Sequence, residues 1–187
     1  MRRKFSILST FLFAIFLSHA RVNTEGIVIT QSDTIRGTIR VDLERNIVSV
    51  KSESRYFNLV ASQIKKVVLK ESDGDRGYFS GVFGADGKHL LFTILSEGRI
   101  TLLYRENVKF SEFDEEVFPP YFVAKENSIF SVGTKKEFLA QLADRSAEMK
   151  DFVKVNKTDF SSKESIAQLF HFYNGVEDAS QMFTFED

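Results

Sequence analysis

The 187-residue chain has no cysteine, no tryptophan and only two prolines. Without cysteine it has no disulfide, no thiol nucleophile and no cysteine-based metal site. A domain of this size can bury enough apolar surface to fold without such cross-links. The two prolines stand together at Pro119-Pro120, which excludes a proline-rich stalk. Beyond residue 20 basic runs are missing too. Lys65-Lys66 and Lys135-Lys136 are isolated pairs, too few for a stripe that would track a nucleic-acid backbone. Beyond residue 20 no apolar stretch approaches the roughly 20 residues that a membrane-spanning helix needs.

What is present begins with a leader. Arg2, Arg3 and Lys4 precede an unbroken apolar run from Phe11 to Leu17, and Ser18-His19-Ala20 closes it with small residues. This is the three-part layout of a secretion signal, with cleavage expected between Ala20 and Arg21. The segment is too short for a spanning anchor, and without cysteine a lipid anchor has no attachment point. Residues 1–20 are therefore read as a signal peptide, and the mature chain as exported to the periplasm or the exterior, soluble or peripherally attached. Loss of three cations leaves 22 basic against 26 acidic residues, a net charge of −4 with His neutral. That balance does not suit a nucleic-acid partner.

From Gly26 to Val132 the pattern is that of successive strands. Ile35, Ile39, Val41 and Leu43 recur at period two, with Gly37 in the same register. Gly37 marks a bulge or a close backbone approach. Further strands are expected at Ile47–Lys51, Tyr56–Val60, Ile64–Leu69, Tyr78–Phe83, Leu90–Leu95, Ile100–Tyr104, Tyr121–Ala124 and Ile129–Val132. Turn residues separate them, among them Asp73-Gly74-Asp75 and Asp86-Gly87. Leu90–Leu95 is nearly continuous apolar, as a strand covered on both faces should be. Twenty Phe residues, four of them in the leader, supply large apolar area with no polar group to satisfy, and read as core.

The period then changes to that of helices. Thr134 with Glu137 makes a capping box, and Phe138, Leu142, Met149, Phe152 and Val153 keep one face apolar except at Arg145. One broken helix or two short ones is expected. Ser161 with Glu164 is a second capping box, and Ile166, Leu169, Phe170 and Tyr173 follow at helical spacing. Asn174-Gly175 is expected to stop that helix. The fold class is thus α+β: a mostly antiparallel, curled sheet, able to roll toward a barrel, followed by two or three C-terminal helices. Residues 21–133 form the β-rich part and 134–175 the helical part of one domain, with 176–187 a loosely ordered tail.

Several of these segments look alike in another group of chains. Gly26-Ile27-Val28-Ile29, Asp33-Thr34-Ile35-Arg36-Gly37-Thr38-Ile39, Glu97-Gly98 before Ile100–Tyr104, Lys135-Lys136-Glu137-Phe138 and Phe172-Tyr173-Asn174 resemble a broad group of uncharacterised exported proteins of Bacteroidota. The resemblance implies fold and compartment, and carries no catalytic residues. Asp33-Thr34-Ile35 also resembles the triplet that such bacteria O-glycosylate, with Thr34 as the acceptor, although turn chemistry alone accounts for it.

Reactive constellations are few. His89 and His171 have no partner at metal-ligand spacing, and Asp73, Asp75 and Asp86 lack the ligand array of a calcium loop. Neither a cofactor nor a metal is expected. Asp114, Glu115 and Glu116 could supply paired carboxylates for glycoside chemistry, and read more simply as a solvated loop. Asn156-Lys157-Thr158 is a glycosylation triplet relevant only in a eukaryotic secretory pathway. The sequence therefore points to a non-catalytic envelope protein whose sheet face or helix pair binds a partner protein, a glycan or an envelope component. A carrier of an apolar small molecule in a curled sheet is the alternative, and an enzyme using acids such as Asp114 and Glu116 comes last.

Overall fold

The structure is a computed structural model that describes residues 24–53, 55–84, 87–106, 118–126 and 128–182, the last seven as backbone only. Ten strands form one antiparallel sheet: β1 (Thr24–Thr30), β2 (Thr34–Asp42), β3 (Ile47–Ser52), β4 (Arg55–Val60), β5 (Ile64–Glu71), β6 (Gly74–Phe83), β7 (Lys88–Ser96), β8 (Ile100–Tyr104), β9 (Tyr121–Lys125) and β10 (Ser128–Val132). Three helices follow: α1 (Lys135–Gln141), α2 (Ser146–Asn156) and α3 (Lys163–Met182). The first helical segment is thus two short helices. Their break at residues 142–145 contains Arg145, the residue that interrupts the apolar stripe.

The strand order is β10-β9-β8-β7-β6-β5-β1-β2-β3-β4. Every strand pairs with its sequence neighbour except at one place. A single 3-10 turn, Ala61–Gln63, separates β4 from β5, yet β5 lies against β1. So short a link requires β1–β4 to fold over, bringing the end of β4 back to the start of β5. Hydrogen bonds record that fold: Ser80 Oγ on β6 donates to Ala61 O at 2.6 Å, and Leu91 N on β7 donates to Asn46 Oδ1 at 3.0 Å. The hydrogen-bonded order nevertheless stays open, with β10 and β4 as its two ends, so no barrel closes.

Alternation along the strands distributes the core into three parts. Val28, Ile39, Val48, Val50, Ile64, Val67 and Leu91 fill the space under the folded-over β1–β4. Phe83, Leu90, Phe92, Leu103 and Phe122 pack on the opposite face of β6–β9, with Phe83 and Phe92 each 5.0 Å from Phe122. Ile100, Leu102, Val123 and Val132 meet Phe138, Leu142, Met149, Ile166, Leu169, Phe170 and Tyr173 from the helices. β7 serves all three parts: Leu91 points one way, Leu90 and Phe92 the other, and Leu95 reaches the helices after a register shift between Ile94 and Ser96. A strand used on both faces must be apolar throughout, which is why its sequence does not alternate.

Gly37 occupies a close approach: a Cβ there would lie 2.3 Å from Lys51 O on β3. The Thr134–Glu137 capping box forms as the spacing predicts. Two helix boundaries differ from the sequence reading. α3 is capped by Ser162, whose Oγ accepts from Ser165 N at 3.2 Å, while the Ser161 hydroxyl turns back to Asp159 Oδ1 at 2.7 Å. Nor does Asn174-Gly175 stop α3, which continues to Met182 through residues expected to be loose tail. Asn174 spends its side chain on the sheet instead of on the helix end. A glycine inside a helix costs only about 1 kcal/mol, which the surrounding turns can absorb.

Candidate functional site

One cross-strand row organises the face shared by the helices and the folded-over strands. Val28 pairs with Val67, Val67 with Tyr78, Tyr78 with Thr93, Thr93 with Tyr104, and Tyr104 with Tyr121. Paired residues of neighbouring strands point to the same face. The row is aliphatic where β1–β4 cover it. From Tyr78 onward every member carries a hydroxyl.

The middle of this row lies at the floor of a groove, Thr93 and Tyr104 half-buried there and Tyr78 8 % exposed, packed with the core under the folded-over strands. One wall is the β2–β3 turn, Leu43 and Glu44. The other is Lys163 at the start of α3, and Arg76, Arg105 and Glu106 complete the rim. The groove encloses about 770 Å³ and shares Leu43, Glu44, Arg76 and Tyr78 with a second open groove of about 940 Å³ between the β2–β3 and β5–β6 turns. Lys163 Nζ stands 3.7 Å from the centre of the Tyr104 ring, and the Tyr104 and Tyr121 rings meet edge-on at 5.3 Å.

Arg105 anchors the wall. Its guanidinium donates to Asn46 Oδ1 at 2.6 Å, to Leu91 O at 2.8 Å and to Leu43 O at 2.6 Å. Burial pushes its pKa down, because the cation has lost part of its hydration. The three hydroxyl groups of the tyrosines all stay neutral. The Tyr104 hydroxyl donates to the Glu106 carboxylate, and that bond, then burial, pushes its pKa up to about 12. Burial raises Tyr78 and outweighs the opposing effect of Arg76, and burial with the nearby Glu164 raises Tyr121. Arg76 is paired to Glu71 at 2.8 Å. Arg105 and Lys163 share the lining with Glu44 and Glu106, so beside the Arg76–Glu71 pair it carries two charges of each sign. Neutral hydroxyls between fixed charges suit hydrogen bonding to an uncharged polar ligand.

The sequence-derived candidates fall elsewhere. Thr34 is exposed at the start of β2, and its backbone N–H donates to Asp33 Oδ1 at 2.7 Å. His89 is exposed on β7, and His171 Nδ1 lies 3.2 Å from Ser96 Oγ. A serine beside a histidine is the start of a nucleophile–base pair. Here Ser96 is 1 % exposed, and Asn174 Nδ2 also donates to its oxygen, so no substrate reaches it. Asp75 pairs loosely with Lys70, and Asp73 lies on the rim of the larger groove. Ala20, Arg21, Asp86, Asp114, Glu115 and Glu116 lie outside the described residues. Among the described residues no three of His, Cys, Asp and Glu gather as metal ligands, and no helix is long and apolar enough to cross a membrane.

Sequence reasoning missed the groove residues Tyr78, Thr93, Tyr104 and Arg105. The available signal was Tyr104 in its alternating strand. Its register against Tyr78 and Tyr121 depends on pairing that only the fold sets. No protein-family model, no curated protein and no solved structure matches the chain.

Proposed function

We propose that the chain is an exported, non-catalytic binding protein whose groove over Tyr78, Thr93 and Tyr104 receives a glycan. The row of neutral hydroxyls carries this reading. Sugar hydroxyls need donors and acceptors that do not titrate, and tyrosine rings add flat apolar faces for the C–H side of a sugar. A groove of about 770 Å³ has room for a short saccharide, and its continuation past Glu44 extends the path along a chain. Export rests on the leader, and the likeness to exported Bacteroidota proteins agrees with it. The apolar-carrier alternative finds less support, because Val28, Ile39, Val48, Val50, Val67 and Leu91 fill the space beneath the folded-over strands.

The chain has no tryptophan, and three of its five tyrosines stand in this row, so intrinsic tyrosine fluorescence reports directly on the site. Titration with neutral oligosaccharides of bacterial envelopes should give a saturable change. The Tyr104→Phe and Thr93→Val variants should each weaken binding about five- to tenfold, the loss of one hydrogen bond. A saturable response to apolar ligands, with none to any saccharide, would reverse the choice between the two readings.

A further inference from the structure

A third, open cleft of about 460 Å³ lies away from both grooves, between α1 and α2. Leu139, Val153 and Thr158 form its floor, and Lys135, Lys150, Lys154 and Lys157 surround it. Among the described residues no acid lines it, although the chain as a whole has more acids than bases. Of the nearby carboxylates, exposed Asp151 on α2 is not among the lining residues, and four are engaged elsewhere. Glu137 accepts from Gly133 N and Thr134 N, Asp144 from Arg99 and Tyr173, and Asp159 from Ser161; Glu148 pairs with Arg145. Lys150, Lys154 and Lys157 pair with no carboxylate among the described residues, and Lys135 is held only against the Phe160 ring at 5.5 Å.

Local electrostatics explain only half of this arrangement. Lys154 and Lys157 stand at the C-terminal end of α2, where the helix dipole favours a cation. Lys135 opens α1, where the dipole opposes it, and Lys150 lies midway along α2. The four lysines are exposed, so water and salt screen their mutual repulsion, but an anion shared between them would be attracted by all four. Ammonium groups act as compact point charges without the planar fork of arginine, so they suit a multiply charged group approached from several sides. We propose that this cleft binds a phosphoryl group, carried either by a small phosphorylated molecule or by a phospholipid headgroup. It does not depend on the glycan reading, since it shares no residue with the groove.

Inorganic pyrophosphate is the probe, titrated into the full chain at low ionic strength by NMR or calorimetry. Saturable binding is expected. In the Lys150→Ala/Lys154→Ala variant it should weaken about tenfold, and in Lys150→Arg/Lys154→Arg by less than about threefold, since charge is retained. Co-sedimentation with phosphatidylcholine vesicles, with and without phosphatidylglycerol, distinguishes the two sources. Extra binding to the anionic vesicles that the alanine variant loses assigns the headgroup. Pyrophosphate binding without such a difference assigns the small molecule. Wild type and variants are compared as the same full chain, so any other membrane affinity cancels. The proposal is overturned if neither probe binds, or if the alanine variant binds as tightly as wild type.

Discussion

The Asn46 carboxamide oxygen accepts from Arg105 at 2.6 Å and from Leu91 N at 3.0 Å, tying the β2–β3 turn to β7 and to the end of β8. Asn46 itself has φ 55°, the left-handed conformation that asparagine tolerates best after glycine. One residue thus satisfies a turn and neutral acceptors for a partly buried cation. Asn46→Ala should cost about 2–4 kcal/mol in urea unfolding, from left-handed strain and two donors left without an acceptor.

Replacing the same residue with aspartate should act differently. Asn46→Asp keeps the oxygen and the turn conformation and places a carboxylate against Arg105. Its folded pKa should fall below the unfolded value of about 3.9, so the added stability is present above pH 4 and is lost as pH falls through the folded pKa. At pH 7 the variant should equal or exceed wild type by about 1 kcal/mol. Unfolding midpoints measured from pH 7 to pH 2.5 check this, and a variant less stable than wild type at pH 7 would show that Arg105 does not need a counter-charge.

The seat of α3 gives a test by coupling. Asn174 Nδ2 lies 3.2 Å from Ser96 Oγ and 3.0 Å from Ile100 O, and a Cβ on Gly98 would lie 2.3 Å from Asn174 Cγ. Asn174→Ala should cost about 2–3 kcal/mol, mostly from Ser96 and the Ile100 carbonyl losing a buried donor. Gly98→Ala should also destabilise, because the side chain it strikes is held on both sides. The double variant should cost at least 1 kcal/mol less than the sum, since the strike vanishes with the asparagine. Additive values would mean that the β7–β8 turn and α3 do not touch as described.

Why some of this was legible in the sequence follows from its range. Each strand from β1 to β10 shows in local alternation or in a short apolar run, and turn residues such as Asp33 and Asn46 place their ends. Capping at Thr134–Glu137 is a four-residue signal and reads correctly. The register Tyr78–Thr93–Tyr104–Tyr121 depends on strand pairing that local pattern does not set. The return of β5 to β1 hangs on a three-residue turn, and that step brings Leu43 and Arg105 together. Asn174-Gly175 reads as a helix stop because both residues favour one, and it fails because Asn174 has buried partners on the sheet.

Helix capping supplies a prediction that separates two neighbours. Ser162 Oγ accepts from Ser165 N, whereas Ser161 bonds to Asp159 one turn outside α3. Ser162→Ala should therefore cost about 1 kcal/mol, within the range of other caps, and Ser161→Ala distinctly less. Thr134→Ala, at the start of α1, should match Ser162→Ala. Equal losses at Ser161 and Ser162 would return the cap to the residue that its spacing from Glu164 suggests.

Tyr104 should reveal the groove through its titration. Its hydroxyl donates to Glu106, and its pKa is pushed up to about 12. The raised value means the folded chain holds this proton more tightly than the unfolded one. The stability it contributes is fully present below pH 10 and is lost as pH rises from there through about 12. In Glu106→Gln the acceptor is neutral, so the Tyr104 pKa should move back toward 10. Absorbance of tyrosinate near 295 nm would follow it, with Tyr104→Phe identifying which of the five transitions belongs to this residue. Because binding at the groove would use the neutral hydroxyl, saccharide affinity should hold steady to about pH 10 in wild type. It should decline at lower pH in Glu106→Gln, as the phenolate forms earlier. Affinity that changes between pH 6 and 8 in wild type would assign recognition to a different titrating group.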